Sequence, residues 1–321
     1  MLHHDIDIDT AKGLKFLREQ IRAAGIPSSK LDETINIATW NIREFGKVAR
    51  EEASIHYIAE IITQFDLIAI TEVRDNLGDL KRVLNVLGPY WDVIYSDYID
   101  DPGGNKERMA FVFDKRAVVF TGLAAELDPS RVKTAEGEYL SKINWWRSPY
   151  SASFSAGSFD FVLIMAHIRW GSSTKARLKP LQLLANWIVE RRESPYAVDK
   201  DIILMGDFNI TSTRSSLFKA ITAKGLRMPN ALSKNKIGSN LDKSKFYDQI
   251  LHYPTKEDRF TERAGVLDYY VDESSIEKYF PGKGWSKREF TYQFSDHLPL
   301  WAQINIDLQE DELDQIIGWR H

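Results

Sequence analysis

Cysteine is absent from this 321-residue sequence. Disulfides, thiolate nucleophiles and thiolate-held metal sites are therefore excluded. A surplus of either charge is missing too. The 42 Lys and Arg stand against 46 Asp and Glu, giving a net charge of −4 and a pI near 6.0. A general grip on polyanions needs a basic face, so this balance leaves room only for a local basic groove. No stretch approaches the roughly 18 apolar residues of a membrane span. The opening, "MLHHDIDIDTAKGLKFLREQ", has no basic start followed by an apolar run and does not read as a signal peptide. These absences give the expectation of a cytoplasmic protein with no membrane association, although export is compatible with a lack of cysteine. No repeat, low-complexity tract or clear linker interrupts the chain.

Apolar residues make up 43% and aromatics 12%, with nine tryptophans. That is enough for a real core and excludes a disordered chain. The length suits one large domain or two ordinary ones. Leu14, Leu17, Ile21 and Ala24 recur at helical spacing, and Gly25 and Pro27 close the run. Residues 1–34 thus read as an N-terminal helical extension. Strand and helix signals then mix. Strand signals are "INIATW", "DLIAIT", "WDVIYS", "MAFVFD", "AVVFTG", "FDFVLIMAHI", "DIILMGDF" and "LWAQINI". Several are near-continuous apolar runs, as where both faces of a strand are covered. Helix signals are "EEASIHYIAEIITQF", "LGDLKRVLNVLG" and "TKARLKPLQLLANWIVERR". The last contains Pro180, expected in its first turn or at a kink. Residues from about 121 to 150 and from 211 to 245 read as long loops, and "KGWSKREFTYQF" as a solvated loop before the last strand. Residues 308–321 form an acidic tail with a short helix. The mixture predicts an α/β fold of two or four layers around packed sheets.

Six strand signals end in polar groups: Asn41 in "ATWNIREFG", Glu72 in "IAITE", His167 in "MAHIRWG", Asp207 and Asn209 in "ILMGDFN", Asp248 in "FYDQI", and Asp296 and His297 in "FSDHLPL". One such group is ordinary, because strand ends meet water. Six segments supplying only Asn, Asp, Glu and His point further. If the strands share an orientation, these side chains converge on one edge of the core. Hard oxygen ligands hold Mg²⁺ or Mn²⁺, histidines move protons near neutral pH, and carboxylates behind them fix the tautomer. "GDFN" alone is also an Asx-type turn, and "SDHLP" alone is more often a surface turn. Trp40 reads as core. His3 and His4 read as a loose terminus. His56, on a helix, and His252 and His321 show no partner pattern.

Together these segments resemble the endonuclease/exonuclease/phosphatase superfamily, and within it the DNase I branch, over about residues 35–307. "TWNIREFG" and "IAITEVRD" are similar to the family's first two motifs. "GGNKERMAFVF" and "WRSPYSASF" are similar to nuclease segments, and "AHIRWG", "GDFN", "YDQI" and "SDHLPL" complete the order. The resemblance implies a four-layer α/β/β/α sandwich of two packed mixed sheets, with residues 35–307 as the catalytic domain. It implies Mg²⁺ or Mn²⁺, with Ca²⁺ a further candidate, held by Glu72, Asn41 and Asp296. It implies two His–carboxylate pairs, His297 with Asp248 as general base and His167 with Glu107 as general acid, in roles that are exchangeable. Asp207 and Asn209 would orient water and a phosphate oxygen. Arg74, Arg147 and Arg43 would contact substrate, although solvation or pairing with Glu44 or Asp75 is the simpler account.

The expected activity is endonucleolytic hydrolysis of DNA by a monomer with no protein partner. The alternative keeps the chemistry and changes the substrate, to an inositol phosphate or sphingomyelin type of phosphatase or phospholipase. A third is a non-catalytic binding module that kept the fold. The chain departs from the pattern at Thr71, where the family has Gln. It departs at Asn105 or Gly104, where DNase I has an aromatic residue, and at Arg169 and Trp170, where small residues are expected. Trp145, Trp146 and Trp170 read first as caps on the core, with base stacking the alternative.

Overall fold

Alternation of side chains along the strands sets the architecture. The structure, a computed structural model, describes residues 3–98, 105–128, 131–141, 145, 147–171, 173–254 and 259–308, with Leu313 and Ile317 beyond them. In chain order the elements are α1 (Ile8–Ala23), β1 (Thr34–Phe45), α2 (Glu52–Ile62), β2 (Leu67–Arg74), α3 (Gly78–Leu87), β3 (Trp91–Tyr95), β4 (Glu107–Asp114), β5 (Val119–Glu126), β6 (Arg131–Lys133), β7 (Tyr139–Ser141) and β8 (Tyr150–Ala156). They continue as β9 (Phe159–His167), α4 (Thr174–Glu193), β10 (Ile202–Asp207), α5 (Ser216–Thr222), α6 (Asn230–Asn235), β11 (Asp248–His252), β12 (Phe260–Val266), α7 (Ser274–Tyr279), α8 (Lys287–Gln293) and β13 (Leu300–Asn305).

Two mixed sheets result, in the orders β12-β13-β1-β2-β4-β3 and β11-β10-β9-β8-β5. At the heart of each is one parallel pair flanked by antiparallel neighbours: β1 with β2, and β9 with β10. Parallel central strands end at the edge where their antiparallel neighbours begin. Every strand around the two centres therefore has one terminus at a common edge.

Period-2 alternation separates three apolar layers. Ile35, Ile37, Leu67, Ala69, Phe111 and Phe113 of the first sheet meet Phe161, Leu163, Met165, Ile203, Met205 and Ile250 of the second. The other face of the first sheet, with Ala38, Trp40, Ile68 and Ile70, packs on α1, α2, α3, α7 and α8. The other face of the second, with Val162, Ile164 and Leu204, packs on α4 and α5. This is the α/β/β/α sandwich.

Two backbone devices adjust the pattern at the common edge. A register shift between Ile70 and Val73 puts Val73 on the helix side with Ile68 and Ile70, and Glu72 adopts φ +63. A left-handed non-glycine residue costs of order 1–3 kcal/mol; here it turns Glu72 from the helix side into the space between the sheets. At Gly206, φ is +132, and a Cβ there would overlap the Ala166 carbonyl of the parallel neighbour. Only glycine brings β10 this close to β9 just before Asp207.

Several sequence expectations are corrected. The region from 121 to 150 is not one loop: β5 runs to Glu126 and β6–β7 form a small ribbon. The region from 211 to 245 contains α5 and α6. Strand β8, "YSASFSA", escaped notice because its alternation is of serines against small and aromatic residues; Tyr150, Ala152, Phe154 and Ala156 face the inter-sheet core. "KGWSKREFTYQF" holds α8, started by a capping box between Ser286 and Glu289, and Phe290 and Phe294 are fully buried. Pro180 is the seventh residue of α4, not in its first turn. His3 is no loose end. Its Nδ1 lies 2.8 Å from His56 Nδ1 and its Nε2 2.8 Å from Glu60, which also accepts from Arg18. The N-terminal helix packs Leu14 and Leu17 into the helix-side core. The acidic tail from residue 309 lies outside the described residues apart from Leu313 and Ile317, and His321 and Trp146 lie outside them as well.

Replacing Gly206 by Ala should destabilise the fold by about 2 kcal/mol or more, from left-handed strain and collision with the neighbouring strand. Urea unfolding of the purified variant against the parent chain measures it; an unchanged midpoint would contradict this account of the glycine.

Candidate active site

The inter-sheet stripe of each central strand turns polar at the common edge. In β9, Phe161, Leu163 and Met165 are followed at the same parity by His167; in β10, Ile203 and Met205 by Asp207. In β1, Ile35 and Ile37 lead through Thr39 to Asn41. The antiparallel strands deliver by their first residues, Glu107 ahead of Met109 and Asp248 ahead of Ile250. His297 lies three residues before β13. Main-chain register sets His167 beside Asp207 and Asp207 beside Asp248.

Polar contacts then cross between the sheets. Asn41 Nδ2 donates to Asp207 Oδ2 at 3.0 Å and to Glu72 Oε1 at 3.0 Å. His167 Nδ1 lies 3.0 Å from Glu107 Oε2, and His297 Nδ1 lies 2.7 Å from Asp248 Oδ2. With each Nδ1 engaged, the free edges of both rings face one group: Nε2 of His167 and of His297 lie 3.6 and 3.9 Å from Asp207 Oδ2. Asp207 Oδ1 accepts from the Asn209 amide at 2.8 Å, and Asn209, at φ +51, ties its side chain to the Ile168 carbonyl at 2.7 Å.

Electrostatics follow from this crowding. Burial works against charge on His297, but Asp248 and Asp207 outweigh it and push its pKa up to about 10. His167 is raised as well, against its burial and the nearby Arg147, by Glu107 and Asp207. Burial pushes Glu107 up, yet His167 and Arg147 hold it down at about 2. Burial raises Asp207 against the pull of both imidazoles, and Asp248 adds to the rise.

The twelve residues singled out in the sequence divide. Asn41, Glu72, Glu107, Arg147, His167, Asp207, Asn209, Asp296 and His297 line one cleft of about 420 Å³, and Asp248 lies directly behind His297. Arg74 and Arg43 are not in the cleft lining. Arg74 is buried with Nη1 3.5 Å from Glu107, and Arg43 bonds Thr291 at 2.6 Å and Tyr292 at 3.1 Å. Arg147 reaches the cleft while gripping Glu107 through Nε at 2.8 Å and Nη2 at 3.0 Å. Neither Glu44 nor Asp75 is the partner of these arginines in the contacts described.

Sequence reasoning passed over Tyr247, whose ring lies 5.5 Å from that of His297, and Ser239, whose hydroxyl donates to Asp248 at 2.6 Å. It also missed the brace behind His297. Trp40 Nε1 and the Tyr269 hydroxyl both donate to the His297 carbonyl, and Ser295 joins the His297 amide to the Asn41 carbonyl. No local pattern announces contacts spanning more than 250 residues, as that of Trp40 does.

The donor set fits a hard divalent cation. Asn41 Oδ1 is buried with no hydrogen-bond partner, beside a glutamate and an aspartate whose oxygens suit such an ion. Glu72, Glu107 and His167 place one donor atom each within 4.8 Å of one another, as do Asp207, Asp248 and His297. Glu107 is already shared by two arginines and a histidine, so Glu72, Asn41 and Asp207 are the better ligand candidates.

Two buried imidazole–carboxylate pairs thus converge on one acid at the mouth of a two-sheet sandwich. The endonuclease/exonuclease/phosphatase family model matches residues 38–297, and the chain belongs to that family of hydrolases. It is similar to deoxyribonuclease-1 of Bos taurus, 25% identical over 225 residues that cover 66% of this chain and 74% of the relative. It is similar to the same enzyme of Gallus gallus, 25% identical over 182 residues covering 55% of this chain, and spans 61% of that relative's length. Among solved structures, the mannosyl-6-phosphatase of Bacteroides thetaiotaomicron superposes with a TM-score of 0.56 at 20% identity, covering 84% of this chain and 98% of that one. That likeness bears on the fold alone. Among the described residues no helix is long and apolar enough to cross a membrane.

The His297 pair carries a pH signature. An unfolded histidine titrates near pH 6.5, whereas folded His297 holds its proton to about 10. Its contribution to stability is complete below about pH 6.5 and is lost as pH rises through about 10. In EDTA, the unfolding free energy of the parent chain should fall between pH 7 and 9. His297→Gln should flatten that slope; equal slopes would contradict the assignment.

Proposed function

We propose that this chain is a divalent-metal-dependent endonuclease that hydrolyses DNA phosphodiester bonds by direct attack of water. The observation that carries the chemistry is the facing of both imidazole Nε2 atoms toward one carboxylate, each backed by its own acid. Glu72, Asn41 and Asp207, with Asp296 also lining the cleft, would hold a Mg²⁺ or Mn²⁺ ion, which when bound would supply neutralisation of charge on the phosphate oxygens. One imidazole takes the proton of the attacking water at Nε2, and the other delivers a proton to the leaving oxygen. His297 is assigned the first role and His167 the second; a cation held beside Asp207 would offset the negative charge that raises the proton affinity of His297 in the metal-free site, leaving its Nε2 able to accept. Asp248 and Glu107 hold the rings in orientation, and Asn209 and Asp207 fix the water and a phosphate oxygen. Arg147 acts through Glu107 as well as through its charge at the cleft, and Arg74 acts through Glu107.

The deoxyribonuclease-1 relatives, and the "EVRD", "KER" and "RSPY" segments, support DNA as substrate. One observation favours the second reading, a phosphatase or phospholipase. Two arginines expected to grip a polymer are spent on Glu107, and Asn105 donates to Glu107 at 2.8 Å where the nuclease has a groove-filling aromatic. A small phosphoester needs fewer contacts than a duplex.

Plasmid nicking with Mg²⁺ and with EDTA, beside hydrolysis of inositol phosphates and sphingomyelin, separates the readings. Metal-dependent nicking is expected; turnover of a small phosphoester without nicking would overturn the DNA assignment. His167→Ala and His297→Ala should each lower kcat by about 10²–10⁴ while circular dichroism stays that of the parent chain.

The two roles are separable by pH. Glu107→Gln withdraws the charge that holds the His167 proton, so the alkaline limb of the rate profile should move to lower pH. Asp248→Asn should instead move the acidic limb to lower pH. The opposite pairing of variant and limb would exchange acid and base.

A further inference from the structure

The cleft does not stop at the reacting groups. Past Arg147, His167, Arg169 and Trp170 it continues into a second cavity of about 380 Å³, which shares those four residues with it. Trp145, Ile168, Ala176, Arg177 and Pro180 supply its other walls. The tryptophans flanking the site fare differently. Trp145 is 6% exposed and belongs to the core under α4, whereas Trp170 is 56% exposed at the junction of the two cavities. Among the described residues no other tryptophan is so open to water.

Trp170 is nevertheless held in place. Its ring stands edge-on to Tyr247, with centroids 5.7 Å apart and planes at 82°, and the Arg177 guanidinium lies 5.4 Å from its centroid. Arg177 is tied in turn to the Asn209 carbonyl at 2.9 Å. An exposed apolar side chain is unremarkable alone. A fixed indole over an apolar floor, continuous with the histidines and carrying arginine at its rim, has the make-up of a ligand subsite. The floor of Trp145, Ile168 and Pro180 offers a second phosphate little in exchange for its hydration. A flat ring joined to a phosphate suits both floor and rim.

We infer that this cavity receives the base of the nucleotide next to the scissile phosphate, with the base face against the indole of Trp170. The inference rests on the nucleic-acid reading of the site. Stacking on an aromatic platform tolerates any base, so the subsite demands that a base be present and is indifferent to which one.

The probes are deoxyadenosine 5′- and 3′-monophosphate against the deoxyribose phosphates that lack the base. Each is titrated by calorimetry into the full chain in EDTA, where no turnover occurs. For at least one monophosphate the base should tighten binding about tenfold. Trp170→Phe, which keeps a flat face, should retain that advantage, and Trp170→Ala should abolish it. Equal affinity with and without the base, or an advantage that survives in Trp170→Ala, would overturn the inference. Plasmid nicking is read separately. Nicking without base-dependent binding removes the subsite and leaves the nuclease reading standing. Base-dependent binding without nicking keeps the subsite and removes that reading.

Discussion

Asp207 is a carboxylate taken out of water and set within 4 Å of two imidazole nitrogens. Its ionisation depends on those imidazoles, and their elevated proton affinity depends on it and on the acids behind them. No member of this set could be buried alone without a large desolvation cost. The group must therefore be assembled to within a fraction of an ångström, and much of the fold serves that requirement. Gly206 lets β10 close on β9, the left-handed Glu72 swings its carboxylate between the sheets, and Asn41 bridges the two.

The fold layers were legible because strands buried on both faces keep two apolar stripes of opposite parity. Ile35 and Ile37 against Ala38 and Trp40, or Leu163 and Met165 against Ile164 and Ala166, can be read directly from order. The same parity carries Asn41, His167, Asp207 and Asp248 onto the inner face, which is why polar strand ends were informative. Glu72 breaks parity. The polar strand end of "IAITE" was visible in the sequence, but the turn that brings its carboxylate between the sheets was not, since a bulge leaves no mark in the apolar pattern.

What stayed hidden was carried by long-range partners or by small residues. Strand β8 packs alanines where large aliphatics would have signalled a core strand. Helix α8 is only seven residues long, and its buried face reduces largely to Phe290 with Phe294 just beyond. The fate of the arginines was open for a different reason. A guanidinium beside a strand end has many acids within reach, and Arg74 and Arg147 go to Glu107, which heads the strand neighbouring β2. The charge that looked available for substrate is partly committed to keeping one acid ionised.

The contacts that close the site also impose an order on its assembly. His297, its Ser295–Trp40 brace and strand β13 come late in the chain, while β13 must pair along β1, one of the earliest strands. A chain emerging from its N-terminus folds with its early segments present first. Until residues near 300 are available, β1 has an unpaired inner edge, Asp248 has no imidazole and Asn41 lacks the clamp on its carbonyl. A C-terminally clipped copy would lose His297 together with β13, an interior strand whose Leu300, Ala302 and Ile304 fill the inter-sheet core and whose Trp301 packs under the helices, so the site and the first sheet stand or fall together.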